Sequence, residues 1–165
     1  MVRTIRAKKM TPGTYAKYGK VVELKPGEDP FVDNEEVVGW LNVVEFEPDM
    51  PRVVHLIMEK RRKMVLTKLE RHTKGMELFI PISGQCVMAF AEAREPKDPD
   101  EMPNIDTIEV FEIKDISAFV VNEGVWHWVG FPISQTATQL VVLKSGSEKD
   151  NVDARDLPEP IQIVL

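Results

Sequence analysis

About ten short runs of β-branched, aromatic or alternating residues, each closed by a proline, glycine or Asn/Asp turn, constrain this chain most. Residues 37–46, 53–59, 65–72, 76–82, 85–91, 108–113, 118–121 and 137–144 all read as strands. Pro48-Asp49-Met50-Pro51, the proline-rich loop 95–103 and Asn122-Glu123-Gly124 break the pattern between them. Only the segment from Lys8 to Gly19 is punctuated as a helix, with Thr11 as N-cap, Pro12 in the first turn and Gly19 as the stop. So many short strands with one helix predict an all-β sandwich or barrel. A double-sheet jelly roll is one of the few ways to protect that many strand edges, and its interior is a natural ligand cavity.

The 165 residues, 43% of them hydrophobic, suffice for one domain with a substantial core, and residues 1–165 read as a single domain. A formal net charge of -6 argues against general nucleic-acid binding, which rests on basic surface. No apolar stretch reaches the roughly 18–20 residues of a membrane span, and the basic N-terminus leads into no signal core. The one cysteine, Cys86, sits in an apolar run and reads as a small buried hydrophobe. These features predict a soluble, cytoplasmic protein with no nucleic-acid or membrane partner.

Candidate chemistry centres on residues 70–84. Side chains two apart on a strand share a face, so Glu70 and His72 point the same way. Glu77 follows the Gly75 turn and is expected to return beside His72; the Ser83-Gly84 pair reads as a hairpin turn. His127 comes from a distant strand. Two carboxylates and two imidazoles suit a divalent site for manganese, iron, nickel or zinc. Arg71, in the opposite phase, is expected to point outward. Trp126 and Trp128 face away from His127 and read as core, interface or substrate wall. Lys60-Arg61-Arg62-Lys63 reads as a solvated turn or an anion-attracting rim. His55 reads as a core or sheet-face residue.

The spacing Glu70-x-His72, four residues, Glu77, six residues, Gly84, then His127, resembles the two motifs of the cupin superfamily, with Glu70 in place of the usual first histidine. Leu69-Glu70-Arg71-His72, Phe79-Ile80-Pro81-Ile82-Ser83-Gly84 and Val125-Trp126-His127 are similar to the signature stretches of the ureidoglycolate lyase family. The opening Tyr15-x-x-Tyr18-Gly19-x-Val21-Val22-Glu23 and the late Asp150-Asn151-Val152-Asp153, followed by Leu157-Pro158, resemble that family too. The likeness departs at Thr73 and Trp128, and no arginine-bearing stretch upstream matches.

The resemblance implies a cupin double-stranded β-helix and a homodimer. It implies a carbon–nitrogen lyase of the amidine-lyase type, cleaving (S)-ureidoglycolate to glyoxylate and urea in allantoin and purine degradation. Glu70, His72, Glu77 and His127 are then the metal candidates. Glu77, His72 and Lys68 are the catalytic ones, and Arg61, Arg62 and Trp126 those for binding a small carboxylate substrate. Two role sets stay open: four metal ligands with the base elsewhere, at Lys68 or a bound water, or a metal-free site in which Glu77 or His72 is the base. No organic cofactor is expected. The alternative is a cupin of the same barrel acting on, or binding, another small carboxylate or sugar acid.

Overall fold

The computed structural model describes residues 3–23, 27–150 and 152–165. Its strands in chain order are β1 (Arg3–Arg6), β2 (Lys8–Lys9), β3 (Val21–Glu23), β4 (Val32–Asp33), β5 (Val38–Gly39), β6 (Arg52–Lys60), β7 (Val65–His72) and β8 (Glu77–Ser83). They continue with β9 (Cys86–Ala91), β10 (Glu109–Ile113), β11 (Ile116–Val121), β12 (Trp126–His127), β13 (Phe131–Pro132), β14 (Thr136–Lys144) and β15 (Val152–Val164). Helix α1 spans Pro12–Tyr15, and a second four-residue helix, α2, spans Ser147–Asp150.

Two sheets carry the fold. The larger runs β1-β15-β7-β12-β9-β10-β2, with β13 also on β9; the smaller runs β3-β11-β8-β14-β6. β1 and β2 are joined through Ala7 and border opposite edges of the larger sheet, so that sheet nearly closes on itself. This removes edges that would otherwise template further pairing. The chain changes sheet between β7 and β8, and again between β8 and β9. The expected turn at Gly75 and the expected hairpin at Ser83-Gly84 are therefore sheet-to-sheet crossings. A hairpin would put Glu77 beside His72 on one surface; the crossing puts it opposite, across the interior. This alternation is that of a cupin-type double-stranded β-helix.

β9 is buried along its whole length. Cys86, Met88 and Phe90 face one apolar cluster, shared with Phe79, Phe119 and Val141 of the smaller sheet. Val87, Ala89 and Ala91 face a second, shared with Leu66, Leu69, Trp126 and Ile163. A strand covered on both faces reads as a continuous apolar run, as this one does. Helix α1 inserts into the first cluster. Thr11 Oγ1 accepts from Thr14 N at 3.2 Å and Thr14 Oγ1 accepts from Thr11 N at 3.0 Å, which caps the turn. Tyr15 then lies edge-on to Phe90, Phe111 and Phe119, and Tyr18 donates its hydroxyl to the Thr107 carbonyl at 2.9 Å. The α-helix ends at Tyr15, short of the expected stop. Gly19 has a different task, since a Cβ there would run into the Val120 carbonyl.

Candidate functional site

Strand register brings the predicted residues together. β12 lies between β7 and β9, with His127 opposite Glu70 on one side and Phe90 on the other. Glu70 and His72 share a face of β7, so three side chains meet, and ligand atoms of Glu70, His72 and His127 lie within 4.8 Å of one another. Glu77 enters from the facing sheet. Its Oε2 lies 3.1 Å from His127 Nε2, and its Oε1 lies 3.5 Å from His72 Nε2. Backbone contacts fix the imidazoles. Gly124 N donates to the His72 carbonyl at 2.7 Å, which pins the turn before β12 onto the end of β7. His127 Nδ1 lies 3.0 Å from the Val125 carbonyl, and donation there turns Nε2 toward Glu77.

Burial and charge compete here. Burial pushes the Glu77 carboxyl up, but the charges of His127 and His72 outweigh it and hold it below the usual carboxylate range. Burial alone would lower His127; Glu77, followed by Glu70, raises it to about 9. Glu77 is 4% exposed and His127 3%, so this is a buried carboxylate–imidazolium pair, stable only while both partners are present.

The cluster opens on a cavity of about 170 Å³. This is below the roughly 300–1,000 Å³ of sites for drug-sized molecules, and so suits a small metabolite. Its walls include Ile57, Phe79, Met88 and Val141. Its ionisable lining is Glu59, Glu70 and Glu77 with His55, His72 and His127, and no lysine or arginine is among the described residues that line it. Among the described lining residues, only the imidazoles can carry positive charge toward an anionic ligand.

The other sequence candidates lie elsewhere. Lys68 has the parity of Glu70 but sits beside a register break between β7 and β15; it is exposed, with its ammonium 4.6 Å from the Trp128 ring. Arg61 is exposed. Arg62 donates to the carbonyls of Val129 and Gly130 at 3.0 and 2.7 Å and lies over Phe131, so its guanidinium is committed to the loop after β12. Trp126 is fully buried in the second apolar cluster, on the side of β12 away from the cavity.

Arg71 does occupy the opposite phase, but it is 1% exposed and not outward. Its guanidinium stacks on Trp126 at 4.5 Å, donates to Asp153 at 3.0 Å and pairs with Glu101. The loop 92–104 covers it, a tertiary contact that strand alternation cannot anticipate.

Sequence reasoning passed over two polar lining residues, Glu59 and Gln139, and read a third, His55, only as a core or sheet-face residue. The only signal was parity: 55, 57 and 59 share one face of β6, and 137, 139, 141 and 143 one face of β14. Which face turns inward was not readable from an edge strand with Val54, Leu56 and Met58 on the other side.

Fold and pocket together define the class: a cupin-type β barrel enclosing a buried carboxylate–imidazole site. A sequence model of the ureidoglycolate lyase family matches residues 2–164, and the chain belongs to that family. The ureidoglycolate lyase of Pseudomonas entomophila is 25% identical over 169 residues, spanning 99% of this chain and 98% of that protein. The ureidoglycolate lyase of Salmonella typhimurium is 24% identical over 149 residues, 88% of this chain and 89% of the other. Among solved structures, a dTDP sugar isomerase from Desulfovibrio desulfuricans G20 aligns with a TM-score of 0.43 at 15% identity, covering 78% of this chain and 79% of its own.

Proposed function

We propose that this protein cleaves (S)-ureidoglycolate to glyoxylate and urea, a carbon–nitrogen lyase reaction of allantoin and purine breakdown. One observation in the fold carries the reading: Glu77 held against the Nε2 atoms of His127 and His72 on a small cavity. The substrate carbon carries a hydroxyl and a ureido nitrogen. A base takes the hydroxyl proton, the O–H electron pair becomes the carbonyl, and the C–N pair leaves with nitrogen, which takes up a proton to give urea. Glu77 is the base, kept ionised by its imidazole neighbours. In a metal-free site His72 supplies the proton to the leaving nitrogen.

The donor set also fits a divalent cation. Glu70, His72 and His127 offer one oxygen and two nitrogens at mutual distances a single ion can bridge. With no lysine or arginine among the described lining residues, such an ion would supply the positive charge for the substrate carboxylate and the developing carbonyl oxygen. With such an ion bound, His72 would be a ligand and proton transfer would rest with Glu77.

The test combines turnover with metal analysis. Wild type should release glyoxylate and urea from ureidoglycolate, and Glu77→Gln should lower kcat by at least about 10²-fold while retaining the bound metal. Loss of metal together with activity makes Glu77 a ligand and not the base. Absence of turnover by wild type, with and without added manganese or nickel, removes the lyase reading.

We propose that residues 1–165 form one cupin domain that works as a cytoplasmic homodimer. The apolar outer face of the smaller sheet supports the dimer: Val54, Leu56, Met58 and Ile82 are 60%, 69%, 61% and 54% exposed. No helix among the described residues is long and apolar enough to cross a membrane.

A further inference from the structure

The end of the cavity away from the imidazoles holds a second polar pair. Glu59 and Gln139 are 6% and 2% exposed, yet both line the cavity. They face inward from adjacent strands, with Ala137 registered against Glu59 and Gln139 against Ile57. Glu59 Oε1 accepts from Gly130 N at 2.6 Å and from Gln139 Nε2 at 3.1 Å. These bonds orient both groups and leave Gln139 Oε1 buried without a partner. Gly130 permits the approach, because a Cβ there would lie 2.7 Å from Glu59 Oε2. The Cys86 thiol also bonds the Glu59 carboxyl, but Gln139 Oε1 has no donor, and an oriented buried oxygen in an otherwise apolar stretch is costly to the fold alone and calls for a ligand.

Their position relative to the imidazole end follows from register. Gln139 pairs with Pro81 and Val141 with Phe79, so Gln139 lies four residues along the sheet from the level of Glu77, roughly 13 Å at strand rise. From carboxylate oxygen to terminal nitrogen, extended ureidoglycolate with a hydrogen bond at each end spans about 12 Å.

We infer that Glu59 and Gln139 form a subsite for the terminal carbamoyl group of the ligand, with Gln139 Oε1 accepting from its amino group. Glu59 Oε2 completes the contact in either protonation state: ionised, it accepts a second N–H; protonated, it donates to the ureido carbonyl. The substrate is thereby held with its carboxylate and hydroxyl toward the imidazoles. Both residues are specificity-determining and take no part in the bond-breaking step. The inference deepens the lyase reading and rests on it for the substrate's orientation.

The experiment measures binding and needs no turnover. N-carbamoylglycine lacks the hydroxyl and cannot be cleaved; N-acetylglycine replaces its terminal amino group by methyl at nearly the same shape. By calorimetry, wild type should bind N-carbamoylglycine at least about 10-fold more tightly, because a buried acceptor facing methyl is left unpaired. Gln139→Met, with similar volume, should reduce that preference to within about 3-fold without lowering affinity for N-acetylglycine. Equal binding of the two ligands by wild type overturns the subsite, and this arm requires no variant to fold. A preference that survives Gln139→Met overturns the role of Gln139. If the preference is present and ureidoglycolate is not cleaved, the subsite stands and the lyase reading fails.

Discussion

At the scale of single residues, burial with a defined partner separates the groups that do chemistry from those that only resemble them. Glu77 and Glu59 are both buried carboxylates on one cavity, but their surroundings drive them apart. Imidazole charge holds Glu77 down. Burial raises Glu59, and the Gly130 N–H, Gln139, Cys86 and Arg62 offset it only in part. The sign for Glu59 is direct. A carboxyl raised on folding contributes fully below its unfolded value and loses that contribution as pH rises through its folded value. Glu59→Gln, which keeps the shape without the charge, should raise Tm by a few degrees at pH 7.5, and the gain should vanish as pH falls toward 4.5. Thermal unfolding across that range checks it; a pH-independent difference would mean that Glu59 carries no burial penalty.

At the scale of elements, the site depends on how segments are fastened. Arg71 ties β7 to β15 through Asp153 and to the loop 92–104 through Glu101 and the Glu95 and Asp98 carbonyls. Asp153 also pairs with Arg155 at 2.6 Å. Removing the central cation leaves Glu101 with only the Arg94 and Glu95 amides and Asp153 with only Arg155, and breaking a buried ion pair costs about 3–5 kcal/mol. Arg71→Met should therefore destabilise the protein by that order in urea unfolding, although the side chain is directed away from the cavity. A loss below about 1 kcal/mol would show the loop to be held by other contacts. The same strand explains how far sequence could reach. Alternation along β7 correctly put Glu70 and His72 on one face and Arg71 on the other, but the depth of the opposite face is set by a loop some twenty-five residues later in the chain.

At the scale of the molecule, the smaller sheet has one face on the cavity and one in the open. Its inner face presents His55, Ile57 and Glu59; its outer face presents Val54, Leu56 and Met58 at 60%, 69% and 61% exposure. An apolar sheet face of this kind marks an interaction surface. In the homodimer we propose, it meets its own copy, so Leu56→Glu should convert the dimer to monomer in sedimentation velocity while leaving the monomer folded. A dimer unchanged by this substitution would move the interface to another face.

The sequence by itself determined most strands between Arg52 and Lys144, their phase and the identity of the four central side chains. Those are local or short-period properties: β-branched runs, turn residues, and parity along a strand. It overran at 37–46, where only Val38–Gly39 is strand, and did not show β1, β2 or the long β15. It also carried the family, through blocks spread over nearly the whole chain. Only the tertiary structure decided that Glu77 approaches His72 from the opposite sheet and that Trp126 and Lys68 lie off the cavity. It alone brought His55, Glu59 and Gln139 onto the cavity. Those facts depend on which strands pair and where the chain changes sheet. Hydrogen-bond register between residues dozens of positions apart sets both, and no local pattern encodes it.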